Sequence, residues 1–383
     1  MTDFVFQNPT KIIFGEEAEL KIVADIKDGG YKKTMIIYGM GRVKQNGLYD
    51  RVVRRIIKNE LGFTDFGGVR PNPVLSFVHD GIEWARKNEV DSILAIGGGS
   101  VIDAAKAIAA GFYYDADVWD FFDKKTSPTK ALPVFTILTL AATGSEMNNV
   151  SVITNEEEQK KYAFGSNLIF PVASALNPSI TMSVDNRQSA FAAVDAISHI
   201  LEVYLSKQNN LRLNDRLSEA LLRTIVKDTE KILENPQDYD ARASFMWSAT
   251  LALNGILSCG AEGYYFANHL LEHSISAMYD VAHGEGLAVV LPAWLSWFRE
   301  REPKRVDRFT KKLFKKTGDE GVVAFEWWLR SLGLATRLGE IGIKESQISY
   351  IAENVATAAL RSKIYKEYDK KTVEGILKRA LRS

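Results

Sequence analysis

Five histidines are spread over 383 residues, and four of them, His199, His269, His273 and His283, lie in the second half of the chain. Asp195 and His199 are four residues apart, so on a helix they share a face. His269 and His273 repeat that spacing, and His283 follows in Ala282-His283-Gly284-Glu285-Gly286. A lone helical histidine is more often a packing residue. Four of five on helices, one with a carboxylate on its own face, point instead to a metal site. Imidazole with carboxylate suits divalent Fe, Zn, Co or Ni. Glu202 falls on the Asp195/His199 face and Glu272 stands beside His273. Each is either a partner that orients an imidazole or an ordinary ion-pair carboxylate.

Two glycine clusters could serve an anion. In Ile96-Gly97-Gly98-Gly99-Ser100-Val101-Ile102-Asp103-Ala104-Ala105-Lys106, an apolar run enters three glycines and then a helical pattern. Glycine lets backbone approach a ligand, and a helix N-terminus presents unpaired N–H groups to a pyrophosphate. Ser100 would cap the helix or bond a phosphate oxygen. The same segment also reads as a tight turn before a capped helix. The second cluster is Tyr38-Gly39-Met40-Gly41-Arg42-Val43-Lys44. In dinucleotide folds an acidic residue here bonds the ribose 2′-hydroxyl, whereas a basic one accommodates a 2′-phosphate. No Asp or Glu lies between Ile37 and Lys44. Arg42 and Lys44 therefore favour NADP(H) over NAD(H), unless both are solvated surface charges.

The elements that must position these residues follow from periodicity. Thr34–Tyr38, Ser92–Ile96 and Val134–Leu138 are short apolar runs that read as strands, with helical patterns at Tyr49–Asn59 and Phe77–Asn88 between them. Alternating strands and helices predict a parallel sheet covered on both faces. Phe4–Phe6 and Lys11–Phe14, around Asn8-Pro9, read as a hairpin added to it. From about residue 186 the patterns are helical: Arg187–Leu205, Asn214–Leu233, Asp240–Ser258, Gly263–Tyr279 and Gly286–Phe298, then charged amphipathic helices over Ser346–Ser383. The expected architecture is an α/β Rossmann-like N-terminal domain, 1–185, and an all-helical C-terminal domain, 186–383. That matches a length typical of two domains.

Composition narrows the function. Lys plus Arg and Asp plus Glu are 48 each, so the net charge is zero, which argues against nucleic-acid binding by bulk charge. Cys259 is the single cysteine and has no partner for an internal disulfide. With no signal-peptide pattern at the N-terminus, a cytoplasmic location is expected. The uncharged stretches Tyr162–Val184 and Ala243–Ala261 carry too many Pro, Asn, Ser and Thr for membrane spans.

Taken together, these motifs resemble the iron-dependent alcohol dehydrogenase family, in its butanol dehydrogenase-like branch and over essentially the whole chain. Gly97-Gly98-Gly99-Ser100-x-x-Asp103-x-x-Lys106 resembles the family's cofactor motif, and Thr139-Leu140-Ala-Ala-Thr143-Gly-Ser-Glu146 its second signature. Asp195-x-x-x-His199-x-x-Glu202, His269-x-x-x-His273 and His283-Gly-x-Gly-Leu-Ala resemble its metal-site signatures. The resemblance implies a dehydroquinate synthase-like architecture and metal ligands Asp195, His199, His269 and His283. It makes His273 a non-ligand near the nicotinamide. It implies cofactor contacts at Gly39, Gly41, Asn72, Asp103, Thr139, Leu140, Thr143 and Lys161, beside Gly97, Gly98, Gly99, Ser100 and Arg42. Arg42 departs from the pattern, standing where NADP-dependent members often carry Ser.

The activity this resemblance implies is hydride transfer between a primary alcohol or medium-length aldehyde and a nicotinamide. One divalent metal, Fe2+ before Zn2+, is the Lewis acid, and His273 relays the proton. A homodimer is expected, without nucleic-acid or membrane partners. Phe164, Tyr264, Tyr265 and Phe266 would line an apolar pocket or simply fill core. The rivals are a glycerol dehydrogenase- or dehydroquinate synthase-like enzyme of the same fold, and a non-catalytic dinucleotide binder. The cyclase would want Lys or Arg near its anionic substrate, and none lies between Asp195 and Leu205; the binder predicts a degraded ligand set, whereas all four ligand positions are filled.

Overall fold

The apolar runs pair as a parallel sheet. In the computed structural model, which describes residues 1–205 and 211–381, the strands are β1 (Lys11–Phe14), β2 (Lys33–Gly39), β3 (Gly62–Val69), β4 (Ser92–Gly97), β5 (Val134–Leu138), β6 (Val150–Asn155), β7 (Lys160–Gly165) and β8 (Ala173–Leu176). Six of them form one sheet in the order β1-β8-β5-β4-β2-β3, and every pair in it is parallel. β6 and β7 form a separate antiparallel hairpin. Ile36, Leu94, Ile96, Phe135 and Ile137 pack with Ile22, Ile26, Val52 and Ile56 of the helices Ala18–Asp28 and Leu48–Lys58. The alternate residues Met35, Ile37, Ile93 and Ala95 are also fully buried, so both faces are covered, as parallel sheets require.

Chain order makes this sheet a binding platform. From β2 the chain moves outward to β3, then returns to β4 on the other side of β2. The carboxyl ends of β2 and β4 thus flank a topological switch point, where open α/β sheets bind ligands. Gly39–Gly41 and Gly97–Gly99 lie at those two ends.

The N-terminal hairpin does not form. Lys11–Phe14 pairs in parallel with β8, and Phe4–Phe6 has no strand partner and is exposed. Asn8 explains the difference: its amide donates to the carbonyls of Met147 (2.8 Å) and Asn254 (3.1 Å), and its Oδ1 accepts from the backbone of Thr10. The Asn8-Pro9 step is an anchor and not a hairpin turn.

The chain forms two compact units: Gln7–Val184 with Gln237–Asn254, and Met1–Phe6 with Asp185–Pro236 and Gly255–Ser383. The helix Tyr239–Ala252 therefore belongs with the sheet. Thr250 donates to Glu146, Arg242 to the carbonyl of Val184 and Gln237 to that of Met182. That helix stops short of the expected Ser258 because Gly255 turns left-handed, at φ 95°. The other unit is helical: Asn186–Tyr204, Arg212–Glu234, Ala267–Tyr279, His283–Arg299, Pro303–Phe314, Gly318–Ser331, Ile348–Arg361 and Lys370–Arg379. Asp185 caps the first through the backbone N–H of Gln188. His283–Arg299 packs on both Asn186–Tyr204 and Ala267–Tyr279. Gly284 permits the first approach, because a Cβ there would lie 2.5 Å from the Phe191 carbonyl. Among the described residues no helix is long and apolar enough to cross a membrane.

Candidate functional site

Within the helical unit, three helices bring the predicted ligands together. Asn186–Tyr204 supplies Asp195 and His199, Ala267–Tyr279 supplies His269 in its first turn, and His283–Arg299 begins at His283. The Nε2 atoms of His199, His269 and His283 each lie 3.5 Å from Asp195 Oδ1. Asp195 Oδ1 and His269 Nε2 are buried with no hydrogen-bond partner, and buried polar atoms left so are costly. Four ligand atoms about 2.1 Å from a central ion, arranged tetrahedrally, stand roughly 3.4 Å apart. The orphaned atoms therefore fit a divalent metal.

Electrostatics at the cluster are uneven. Burial pushes the Asp195 carboxyl up, but the His199 and His283 imidazoles outweigh it and hold the group well below the usual carboxylate range. Burial drives His199 down to about 3. Burial acts the same way on His269, yet the carboxylates of Glu202 and Asp195 raise it to about 10. The carboxylates thus concentrate a demand for positive charge at this point.

His273 lies beside the cluster, its ring centroid 5.8 Å from that of His269 and 5.5 Å from that of His283. Glu202 and Glu272 both reach ring nitrogens of the cluster: Glu202 Oε2 is 2.8 Å from His269 Nδ1, and Glu272 Oε2 bonds His283 Nδ1. Of the four aromatic residues, Phe266 faces the imidazoles of His269 (5.8 Å) and His199 (6.5 Å), with Tyr264 against it. Phe164 packs on Phe121 and Phe122 within the α/β unit, and Tyr265 is exposed.

Within the α/β unit, the glycines of the first cluster are required by crowding. A Cβ on Gly97 would lie 2.4 Å from Val101 Cγ2, and one on Gly99 would lie 2.3 Å from Thr143 Cγ2. The helix Gly99–Gly111 has Gly98 at its N-cap and no side-chain capping bond. Ser100 is therefore not the cap that its sequence position suggested; it lies inside the first turn. Thr139 donates its backbone N–H to Gly97 at 3.0 Å, which fixes the Thr139–Thr143 loop beside the glycines, with Leu140 3.1 Å from a Cβ at Gly98. Asp103 is buried. Its Oδ1 accepts from Ser145 Oγ (2.5 Å) and its Oδ2 from the Val152 N–H (3.1 Å), so both oxygens serve the protein's own backbone and side chains. Lys161 Nζ donates to Asn72 Oδ1 at 2.9 Å, and Asn72 is left-handed at φ 52°.

The second loop is tied to a residue that its own sequence motif does not contain. Lys44 Nζ pairs with Asp65 Oδ2 at 3.0 Å, and the Tyr38 hydroxyl donates to the same oxygen at 2.8 Å. Asp65 stands on β3, alongside β2, more than twenty positions from the loop in sequence. Arg42 donates to the Ser183 carbonyl, and Gly41 is left-handed at φ 101°.

Comparison with known proteins agrees with this geometry. Residues 9–178 match the model of the iron-containing alcohol dehydrogenases, and residues 189–381 match that of the C-terminal part of the Fe-containing alcohol dehydrogenase family. The chain belongs to the iron-containing alcohol dehydrogenase family. It is an oxidoreductase that interconverts alcohols and aldehydes with a nicotinamide cofactor and a metal. It is 39% identical to the probable NADH-dependent butanol dehydrogenase 1 of Bacillus subtilis, over all of both chains. It is 34% identical to the NADPH-dependent aldehyde reductase YqhD of Escherichia coli, over 91% of each. The crystal structure of NADH-dependent butanol dehydrogenase A from Thermotoga maritima superposes with a TM-score of 0.96 at 42% identity, over 100% of this chain and 99% of that one.

Proposed function

We propose that this chain oxidises primary alcohols and reduces aldehydes of butanol-like or medium length, with NADP(H) preferred over NAD(H) and one Fe2+, or Zn2+ in its place. The convergence of three imidazole Nε2 atoms on Asp195 Oδ1, each at 3.5 Å, carries the reading. Asp195, His199, His269 and His283 hold the metal. When bound, it supplies a Lewis acid for the substrate oxygen, and the dinucleotide supplies or accepts the hydride. Phe266 beside the imidazoles presents an apolar face to the substrate's chain. Residues 1–185 act as the dinucleotide-binding domain, aided by the helix Tyr239–Ala252, and 186–383 as the metal-binding domain. Gly39, Gly41 and Arg42, Asn72 with Lys161, Gly97 to Ser100, and Thr139, Leu140 and Thr143 line the dinucleotide path. Asp103 serves it through Ser145 and Val152. The enzyme is read as a cytoplasmic homodimer. Metal content by elemental analysis, with nicotinamide absorbance followed during butyraldehyde reduction, tests the reading. A purified chain that binds Fe2+ or Zn2+ stoichiometrically yet turns over no aldehyde overturns it.

His273 takes the hydroxyl proton of the alcohol on an imidazole nitrogen and passes it outward. A positioned acid–base group is worth about 10²–10⁴-fold in rate. His273→Ala is expected to keep its metal, lose turnover in that range and change its pH–rate profile. A mutant with the wild-type profile and rate assigns His273 to packing.

The preference for NADP(H) rests on Arg42, because Asp65 engages Lys44. Relatives named NADH-dependent support the second reading, NAD(H). A charge-assisted hydrogen bond is worth about 1.5–3 kcal/mol, or roughly ten- to a hundredfold at about 1.4 kcal/mol per decade. Arg42→Ala should raise KM for NADPH by that factor and leave NADH nearly unchanged. Steady-state kinetics with both cofactors decide between the readings, and equal efficiency in the wild type removes the NADP preference.

A further inference from the structure

We propose that Glu202 and Glu272 are positioning residues for the metal, acting by fixing the tautomers of His269 and His283. The inference rests on the ligand set proposed above. Glu202 lies on the same helix as Asp195 and His199, seven residues after the first, so one helix face carries two ligands and the carboxylate that serves a third. Its side chain is fully buried. Oε1 accepts the backbone N–H groups of Asn268 (2.6 Å) and His269 (3.1 Å), and Oε2 faces His269 Nδ1 at 2.8 Å. One carboxylate thus caps the first turn of Ala267–Tyr279 and aims the imidazole in that turn.

A carboxylate only accepts hydrogen bonds. Nδ1 of His269 must therefore carry the hydrogen, so in the neutral imidazole that binds a metal the lone pair stands on Nε2, the atom 3.5 Å from Asp195 Oδ1. Glu272, also with a fully buried side chain, does the same for His283. Gly286 keeps room for it, because a Cβ there would fall 2.8 Å from Glu272 Cγ. His199 provides the contrast: its Nδ1 is buried without a partner. Two imidazoles are locked by carboxylates, and the Nδ1 of the third has no such partner.

Glu202→Gln separates the orienting bond from the cap. The amide oxygen can still accept both backbone N–H groups, but the NH2 then faces His269 Nδ1 and donates. That drives the hydrogen onto Nε2, where it blocks ligation. Outer-shell partners of this kind are typically worth 10–100-fold in metal affinity. Zn2+ affinity by chelator competition should weaken by about that factor in Glu202→Gln and again in Glu272→Gln, with far-UV circular dichroism unchanged. The visible bands of the Co2+-loaded protein should shift, which a purely packing role would not cause. Either variant, if folded, with Zn2+ affinity within about twofold of wild type and an unchanged Co2+ spectrum overturns the proposal for its histidine. A wild-type chain that binds no Zn2+ fails earlier, at the ligand set, and so identifies which inference is at fault.

Discussion

Replacing His269 by Ala is expected to leave a folded chain that holds no divalent metal and oxidises no alcohol at a measurable rate. The substitution removes one of the three Nε2 atoms gathered 3.5 Å from Asp195 Oδ1. Loss of a direct ligand should exceed the roughly 10–100-fold typical of an outer partner, so affinity should fall by more than about a hundredfold. The fold should survive because Glu202 Oε1 keeps both backbone bonds to the first turn of Ala267–Tyr279. Stability offers a second readout. A ligand at about a thousand times its Kd stabilises by about 4 kcal/mol. Chelator-treated wild type should thus melt well below the loaded enzyme, and His269→Ala should show no such gap. Elemental analysis, calorimetry with and without chelator, and steady-state rates check the three parts. A mutant retaining one equivalent of metal and full turnover would remove His269 from the ligand set.

Legibility in the sequence followed the range of the interaction concerned. Asp195, His199 and Glu202 could be placed on one face because helical geometry fixes relations three, four and seven residues apart. Nothing local says that His269 and His283 meet that face; the family resemblance supplied it. β2, β4 and β5 were readable because central parallel strands are continuous apolar runs. β3 was not, since Gly62-Phe-Thr-Asp-Phe-Gly-Gly-Val69 lies at the sheet edge, is only partly buried and holds three glycines. Missing β3 also hid Asp65, and with it the ion pair that occupies Lys44. The helix Tyr239–Ala252 shows the same limit: its pattern announces a helix but not the sheet-bearing unit that Thr250 and Arg242 join.

Lys106→Met is expected to cost the α/β unit about 3–5 kcal/mol, the loss typical when one of two coupled buried charges is removed; the other is Asp103, which Ser145 Oγ bridges to Lys106. Lys106 is fully buried. Its Nζ reaches the Ser145 carbonyl (2.7 Å) and Oγ (2.9 Å), the Asn148 carbonyl (2.9 Å) and Oδ1 (3.0 Å), and the Val150 carbonyl (3.0 Å). Burial lowers its pKa to about 8 against the pull of Asp103 and Glu146, so it is still charged at neutral pH. Methionine keeps the length and removes the cation, leaving those oxygens and buried Asp103 uncompensated. For a unit of this size each kcal/mol moves Tm by about 2–4 °C, so a fall of roughly 6–20 °C should appear by calorimetry. Asp103→Asn in the same chain should recover part of it, because the double change no longer strands a lone buried carboxylate. The loop Thr139–Gly144 runs from the Thr139 bond at Gly97 to this cage, so KM for the nicotinamide should rise more than kcat falls. A Tm drop under about 2 °C, with the double variant no better than the single, would show that the ammonium contributes no net stability and that neutral packing holds the segment 145–150 against the helix Gly99–Gly111.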